Sequence, residues 1–173
     1  MITILPVEGP APTFDRSFTV TEELRLGFHE GAFTYDIVAV EPYEKTYADE
    51  DEEDSGELFV AYLDGQVAGT LVLSEAWNGY ALIEDIAVAR DLRRAGVASA
   101  LLRHAMDWSR ARKLPGIMLE TQHNNVAACR LYARHGFRLG GVDLDLYRGL
   151  PHQGRHEIAL FWYWHADRSG SAD

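Results

Sequence analysis

Two adjacent carboxylates, Glu84 and Asp85, stand in the middle of an otherwise apolar run at residues 82–88. Buried charge is costly unless it is paired or used in chemistry, so both side chains are candidates for a general base. Because neighbouring side chains on a strand point to opposite faces, only one should reach a ligand unless a bulge intervenes, and we favour Glu84. The alternative is a structural ion pair between either carboxylate and an arginine.

A stretch rich in arginine and small residues follows that run, with the order Arg-Arg-Ala-Gly-Val-Ala at residues 93–98. Where a strand turns into a helix, the first amides of the helix lack internal partners and present the positive end of the dipole. Gly96 and Ala98 carry almost no side chain, so phosphates can approach the backbone closely. The stretch predicts a pyrophosphate site, and the alternative is a helix start with surface arginines.

The elements around these residues begin with a β-meander. Asp64-Gly65 and Asn78-Gly79 separate β-rich runs at residues 58–63, 67–74 and 80–88. Such dipeptides favour tight hairpins in which both turn residues have positive φ. We therefore expect three antiparallel strands.

Helices and strands alternate after the meander. Apolar spacing from Val97 to Trp108 predicts a helix that residues 114–116 end, and a second helix has Asn124 or Asn125 as N-cap and Gly136 as left-handed C-terminal cap. Further extended segments are expected at residues 18–28, 32–40, 117–121, 137–142 and 157–164, with a turn at Glu30-Gly31. The helix crossover makes the strands at 80–88 and 117–121 parallel neighbours in a mixed sheet.

Length and composition favour one cytoplasmic domain. The chain has 173 residues, which fit a single domain over residues 1–166 with a disordered tail at 167–173. Its one cysteine, Cys129, cannot form an internal disulfide, and no Cys/His spacing predicts a metal site. The first residues do not resemble a leader, and no apolar run approaches the roughly 20 residues of a membrane span.

Negative charge is concentrated in one segment. The formal net charge is -11, and residues 49–54 with Glu57 hold seven of the acidic side chains. This balance argues against nucleic acid as the main partner, because phosphate backbones need a basic face. It permits a cationic partner. The acidic run is expected to be a solvated loop, with attraction of a substrate as the alternative.

A second spaced pattern lies downstream and consists of Asn125, Ala128, Leu131, Tyr132, Gly136 and Phe137. Together with Arg93-x-x-Gly96-x-Ala98, this pattern resembles the GNAT superfamily of N-acetyltransferases. Within that superfamily the chain looks like the streptothricin acetyltransferases, through residues 41–47, 77–80, 83–88, 140–143 and 157–163.

The resemblance implies an α/β fold of α+β type. Its GNAT-like sheet is mixed and mostly antiparallel, splays open between two central parallel strands and carries helices on both faces. It also implies acetyl-CoA as the acetyl donor. Its pantetheine arm would pair with the backbone of the strand at residues 80–88, and its pyrophosphate would bind the backbone amides of residues 93–98. The implied cofactor-binding residues are Ile86, Ala87, Val88, Arg93, Arg94, Ala95, Gly96, Val97, Ala98, Asn125, Ala128 and Tyr132.

Roles in the reaction follow from the same resemblance. Tyr132 resembles the tyrosine that protonates the departing thiolate, and the alternative is core packing of its ring. Asn125 could contact the cofactor, cap its helix, or both. A backbone amide near Val88 is the expected oxyanion donor, and loss of the amine proton through water would make neither Glu84 nor Asp85 essential.

The implied acceptor is a cationic small-molecule amine, the β-lysine group of streptothricin, whose acetylation gives antibiotic resistance. Its expected contacts are Trp77, Glu84, Asp143, Asp145, Tyr147 and Glu157, with Tyr43 as a further wall, and ordinary packing is the alternative for these positions. Other polyamines, aminoglycosides or protein amines remain as acceptors. A non-catalytic acyl-CoA-binding module, and a module that binds basic partners through the acidic run, are competing hypotheses. The sequence leaves open whether the chain forms a homodimer.

Overall fold

A computed structural model describes residues 1–47, 55–150 and 155–166. The acidic run at 49–54, Pro151 and the predicted tail at 167–173 lie outside these residues. Within them the strands are β1 (Ile2–Val7), β2 (Phe18–His29), β3 (Ala32–Lys45), β4 (Glu57–Leu63), β5 (Gln66–Glu75), β6 (Ala81–Val88), β7 (Gly116–Gln122), β8 (Arg138–Asp143) and β9 (Ala159–His165). The α-helices are α1 (Val97–Ala111) and α2 (Val126–Arg134), and a 3-10 turn spans Arg90–Leu92.

Seven of these strands form one sheet in the order β1-β4-β5-β6-β7-β9-β8, and β2 pairs with β3 separately. The pairs β1/β4, β4/β5, β5/β6 and β8/β9 are antiparallel. Helix α1 connects β6 to β7, as a parallel pair requires. The prediction of a mixed, mostly antiparallel sheet with one parallel pair is confirmed.

The chain folds into two compact units. The described part of unit 1 comprises residues 1–18, 46–47, 55–118 and 165–166, and it contains the meander β4-β5-β6 with α1. Its core is apolar side chains from both, including Leu71, Leu73, Ile83, Leu101 and Leu102, each no more than 4% exposed. No described helix in either unit has the length and apolarity to cross a membrane.

The two turns of the meander differ. Asp64 and Gly65 have φ of 49° and 85°, as the hairpin prediction requires. At the second turn only Gly79 has positive φ, so the prediction for Asn78 is wrong. Here the loop is wider, because Ala76 and Tyr80 close it through their backbones and the Asn78 side chain accepts from the Tyr80 amide at 3.3 Å.

Helix α1 buries one face and ends through its backbone geometry. Val97, Leu101 and Ala105 are spaced four residues apart and are almost fully buried. After Ala111 the chain leaves the helix, with Lys113 at φ 58° and the Leu114 amide bonded back to the Ser109 carbonyl. Pro115 then prevents further helix.

The described part of unit 2 comprises residues 19–45, 119–150 and 155–164, and it contains most of the β2–β3 hairpin, α2, β8 and most of β9. Glu30 and Gly31 form its predicted turn, with φ of 49° and 79°. The hairpin is longer than predicted, since β3 continues to Lys45. Helix α2 has Asn125 as N-cap and is followed by Gly136 at φ 84°, as predicted.

Strand β1 was not predicted. Its sequence includes Pro6, and a proline argues against a central strand because it lacks an amide donor. The structure explains the proline, since among the described strands β1 lies at the edge of the sheet and has β4 as its one neighbour.

Candidate active site

A β-bulge lies at the predicted carboxylate pair. Asp85 is opposite Val72 and Ile83 is opposite Leu73, which makes Glu84 the extra residue of β6. Counting from these pairings, Glu84 and Asp85 point to the same face of β6. The neighbouring Gly69 faces the other way, where an added Cβ would lie 3.3 Å from α1 side chains. Both carboxylates therefore lie on the side of β6 away from α1.

The two carboxylates have different partners. Asp85 forms an ion pair with Arg16, whose side chain also lies over the Tyr47 ring at 5.7 Å. Glu84 accepts a hydrogen bond from the exposed Ser55 hydroxyl at 3.3 Å. The structural ion pair that the sequence left open is thus present at Asp85, while the partner of Glu84 within the part of the chain that the structure describes is the neutral Ser55 hydroxyl.

The stretch from Arg93 to Ala98 makes a sharp turn into α1. Arg94 and Gly96 both adopt left-handed conformations, with φ of 66° and 85°. Gly96 is the N-cap of α1, and its missing side chain matters for conformation rather than space, since an added Cβ would meet only Ile2 at 3.9 Å. A positive φ at arginine is uncommon and indicates that the surrounding structure imposes this turn.

Arg93 is engaged by the protein itself. Its guanidinium donates to the Val88 carbonyl at 3.3 Å and to the Arg16 carbonyl at 2.9 Å. Burial is the largest cause that lowers its pKa. Nearby, Arg90 donates to the Ser17 hydroxyl at 2.8 Å. These two arginines hold residues 15–17 beside the turn, and Arg94 is exposed.

The N-terminus of α1 has the properties that a pyrophosphate requires. Among the described residues no side chain caps it, and its first turn contains no acidic residue. Arg94, Ala95 and Gly96 are exposed, so their backbone is accessible. Amides and positive dipole at the end of a 15-residue helix suit a phosphate-bearing cofactor.

In unit 2, Asn125 and Ala128 form a helix cap. The Asn125 side chain accepts from the Ala128 amide at 3.2 Å, which satisfies one of the free donors of α2. Of the roles left open for Asn125, the structure therefore contains the capping one.

Tyr132 lies on α2 and is 4% exposed. Its ring packs near Phe137 and Trp162, with centroid separations of 5.8 and 6.2 Å. The Tyr132 ring therefore packs in the core of unit 2, as the alternative interpretation of this residue predicted.

Three of the predicted acceptor contacts lie at the end of a strand or in a loop. Asp143 accepts from the Asp145 amide at 2.9 Å, and Asp145 accepts from Arg148 at 2.7 Å. These bonds build the turn after β8. In unit 1, Trp77 is 97% exposed in the loop between β5 and β6, where it is open to solvent.

Tyr147 and Glu157 belong to a buried polar cluster centred on Lys45. The Lys45 ammonium donates to Gln122 Oε1 at 3.1 Å, to Asn124 Oδ1 at 3.0 Å and to Glu157. Gln122 in turn donates to the Tyr147 hydroxyl at 3.0 Å. Burial lowers the pKa of Lys45, while the carboxylate of Glu157 acts in the opposite direction.

The cluster continues to the predicted wall residue Tyr43. Asn124 donates to the Tyr43 hydroxyl at 3.1 Å, and that hydroxyl donates to Glu23 at 3.1 Å. The Arg155 guanidinium stacks on the Tyr43 ring at 3.6 Å. His123 accepts from the Ile158 amide through Nδ1, and burial lowers its pKa, which favours the neutral ring.

Sequence reasoning did not identify four polar residues of this region: Lys45, Glu120, Gln122 and His123. It named Asn124 as an N-cap candidate but not as a hydrogen-bond partner of Lys45. Glu120 lies on β7, and burial raises its pKa to about 7 although Lys45 opposes this. The argument that selected Glu84 also applies to Glu120, since it is a single charge within the apolar strand at 117–121. The lysine cluster has no comparable signal, because its members are far apart in the chain.

Comparison with known proteins identifies the family. Residues 21–137 match the model of the acetyltransferase (GNAT) family. Streptothricin acetyltransferase A of Bacillus subtilis is 42% identical over 85% of this chain and 88% of its own length. A streptothricin acetyltransferase from Escherichia coli is 40% identical over 94% of each chain.

A solved structure agrees in fold as well as sequence. A candidate streptothricin acetyltransferase from Bacillus anthracis, in complex with acetyl coenzyme A, superposes with a TM-score of 0.85 at 36% identity. The match covers 95% of this chain and 99% of that one. The chain belongs to the GNAT family of acetyltransferases. It is an N-acetyltransferase, and acetyl-CoA is its acetyl donor.

Proposed function

We propose that this protein transfers the acetyl group of acetyl-CoA to the β-lysine amine of streptothricin and thereby inactivates the antibiotic. The extent of the similarity carries this proposal. The family model ends at residue 137, whereas 40% identity to the Escherichia coli enzyme extends over 94% of the chain. The shared sequence thus includes C-terminal segments of unit 2, where most predicted acceptor contacts lie.

On the donor side, the turn into α1 supports a role for residues 93–98 as the pyrophosphate site. Acetyl-CoA supplies the acetyl group as an activated thioester. The backbone of Ile86, Ala87 and Val88 is assigned to the pantetheine arm, with the Val88 carbonyl already accepting from Arg93. Asn125 and Ala128 contribute by fixing the start of α2.

On the proton-transfer side, Tyr132 is assigned as the acid that protonates the departing thiolate. Its position on a capped helix, packed by two aromatic rings, supports a fixed orientation. Of the two β6 carboxylates, Asp85 is held by Arg16, which makes Glu84 the better base candidate on that strand.

On the acceptor side, the net charge of -11 suits a cationic substrate, and Trp77, Asp143, Asp145, Tyr147 and Glu157 are proposed to contact or shape its site. We place the reaction in the cytoplasm, where acetyl-CoA is formed and a thiol remains reduced.

A panel of acceptors tests the substrate. Release of CoA thiol is followed with streptothricin, spermidine, an aminoglycoside and an N-terminal peptide, and each is ranked by kcat/KM. Streptothricin should exceed the other amines by at least about tenfold, a difference of about 1.4 kcal/mol in transition-state binding. Calorimetry with acetyl-CoA alone serves as control. A protein that binds acetyl-CoA but prefers another amine contradicts the proposed substrate.

A further inference from the structure

The end of the chain segment between β1 and β2 is fastened to the turn that leads from β6 into α1. The Arg90 amide donates to the Asp15 carbonyl at 2.9 Å, and the Arg90 side chain donates to the Ser17 hydroxyl at 2.8 Å. The Arg93 guanidinium donates to the Arg16 carbonyl at 2.9 Å. Each of these three consecutive residues is therefore held by one of two arginines, and all of the groups involved belong to unit 1.

The same segment, residues 15–17, also has a fixed local conformation. The Asp15 carboxylate accepts from the Ser17 amide at 2.9 Å and from the Ser17 hydroxyl at 2.6 Å. That hydroxyl thus donates its one proton to Asp15 while its oxygen accepts from Arg90. The hydrogen bonds from Ser17 are the largest cause that lowers the pKa of Asp15, and the charges of Arg90 and Arg93 lower it further.

The Arg16 side chain fixes the segment to β6. Its guanidinium pairs with Asp85, and it lies 5.7 Å from the centroid of the Tyr47 ring. Because Asp85 points out of the sheet on the side away from α1, the pair places Arg16 over that face of β6. A ligand that pairs in strand fashion uses the backbone edge of a strand instead, so it does not compete with Arg16 for the same groups.

Arg93 links the segment to the end of β6. Besides the Arg16 carbonyl, its guanidinium donates to the Val88 carbonyl at 3.3 Å. Arg93 is half-buried, and burial is the largest cause that lowers its pKa. Its neighbour Arg94 is exposed. The side chain of Arg93 is thus directed at two protein carbonyls, whereas that of Arg94 is accessible to a charged ligand.

These contacts bracket the part of β6 that is assigned to the pantetheine arm. Asp85, the partner of Arg16, immediately precedes residues 86–88. The carbonyl of Val88, the last residue of β6, is bound by Arg93. Residues 15–17 therefore lie beside the assigned pantetheine strand, with one attachment before it and one at its end.

We propose that residues 15–17 form a wall of the acetyl-CoA site beside β6, and that Arg93 is the positioning residue that holds this wall rather than a side-chain ligand of the pyrophosphate. This inference rests on the acetyl-CoA site described under the proposed function. Arg93 acts on the pantetheine arm through the two carbonyls that it binds. The pyrophosphate is left to the amides at the start of α1 and to the exposed Arg94.

Two ligands separate positioning from phosphate binding. Acetyl-CoA carries the pyrophosphate and the pantetheine arm, whereas 3′-phospho-ADP carries the pyrophosphate without the arm. In calorimetry, Arg93→Gln should weaken acetyl-CoA binding about tenfold, the effect of one lost charged hydrogen bond, and should change the Kd of 3′-phospho-ADP by less than about twofold. Arg94→Gln should weaken both ligands. Arg103→Gln replaces an exposed arginine on α1 and should weaken neither.

The Ser17→Ala variant tests the wall without removing a charge. It deletes the hydroxyl that bonds to Asp15 and Arg90. The variant should weaken acetyl-CoA binding about threefold, because the wall loses part of its attachment, and should leave 3′-phospho-ADP binding unchanged. Unchanged acetyl-CoA binding in Ser17→Ala would remove residues 15–17 from the site.

Trypsin measures whether Arg93 holds the segment. Trypsin cleaves after arginine, and the peptide of residues 1–16 that it releases by cutting after Arg16 can be followed by mass spectrometry. Release should be several-fold faster in Arg93→Gln than in Arg103→Gln, and acetyl-CoA should slow it in the wild type. Equal release from the two variants would show that Arg93 does not hold the segment.

The outcomes distinguish this inference from the proposed function. Equal weakening of both ligands by Arg93→Gln would make Arg93 a pyrophosphate ligand and overturn the inference. If Arg93→Gln does not fold, Ser17→Ala and the protection of the wild type by acetyl-CoA decide the question. None of these measurements uses an acceptor, so turnover of another amine but not streptothricin overturns the proposed substrate alone.

Discussion

Burial raises the pKa of both Glu120 and Cys129 in unit 2, with opposite chemical consequences. Glu120 reaches solvent, and its pKa of about 7 makes it reactive toward protons at neutral pH. Cys129 is 1% exposed, and burial raises its pKa to about 12. At neutral pH Cys129 is a protonated thiol in an apolar core, and it behaves as a small hydrophobic residue.

The state of Cys129 gives a direct prediction. With one cysteine in the chain, Ellman's reagent should detect far less than one thiol per native molecule and one thiol after unfolding in guanidinium. Rapid labelling of the native protein would contradict the buried assignment. The CoA thiol released during turnover can therefore be measured without interference from the enzyme.

The sequence located carboxylates but not their partners. A charge within an apolar strand is visible in the sequence, which selected Glu84 and Asp85 and would also have selected Glu120. Which of them is neutralised depends on distant residues such as Arg16, which is 69 positions from its partner Asp85. Lys45 and its partner Glu157 are likewise 112 positions apart. Such pairings follow from the fold and leave no local pattern.

At the scale of elements, local rules predicted most of the architecture. The β-meander, α1 and α2 carry strong periodicity and turn or cap residues, and all are confirmed. The failures have local physical reasons. Pro6 argued against a strand at residues 2–7, which lies at the edge of the sheet. The Asn78 backbone does not have positive φ, and its side chain helps to close a wider loop.

The turn into α1 yields a prediction with a matched control. Gly96 and Gly65 both have φ of 85°, and neither has a close neighbour where a Cβ would lie. Gly96→Ala and Gly65→Ala should each destabilise the protein by about 1 kcal/mol in urea unfolding, because left-handed alanine is strained. Only Gly96→Ala should also raise the KM for acetyl-CoA, by about tenfold or more, since only Gly96 lies in the proposed pyrophosphate site.

The comparison between the two glycine variants separates an effect on acetyl-CoA binding from an effect on the stability of the fold. Equal increases in the KM for acetyl-CoA in both variants would attribute the effect to general destabilisation. An unchanged KM in Gly96→Ala would remove residues 93–98 from the cofactor site.

At the scale of the whole molecule, unit 2 is organised by polar contacts between distant segments. Lys45 joins β3 to the end of β7, the start of α2 and the segment before β9. Among the described residues, more of the largest fully buried side chains lie in unit 1 than in unit 2, which increases the relative importance of such contacts in unit 2. The sequence predicted the strands of unit 2 but not the cluster that connects them.

Removal of the central cation tests this organisation. Lys45→Met should destabilise the protein by about 3 kcal/mol or more in urea unfolding, because Glu157 would remain partly buried without its partner. Lys113→Met makes the same substitution at an exposed position and should change stability by less than about 0.5 kcal/mol. Similar stability of the two variants would contradict the structural role of Lys45.

The most direct test of the whole account is the acetylation product itself. Purified protein is incubated with acetyl-CoA and streptothricin, and the antibiotic is analysed by fragmentation mass spectrometry. We predict one added acetyl group on the β-lysine portion, formed only when both enzyme and acetyl-CoA are present. Unmodified streptothricin after incubation with folded protein that binds acetyl-CoA, or an acetyl group on another part of the molecule, would contradict the account.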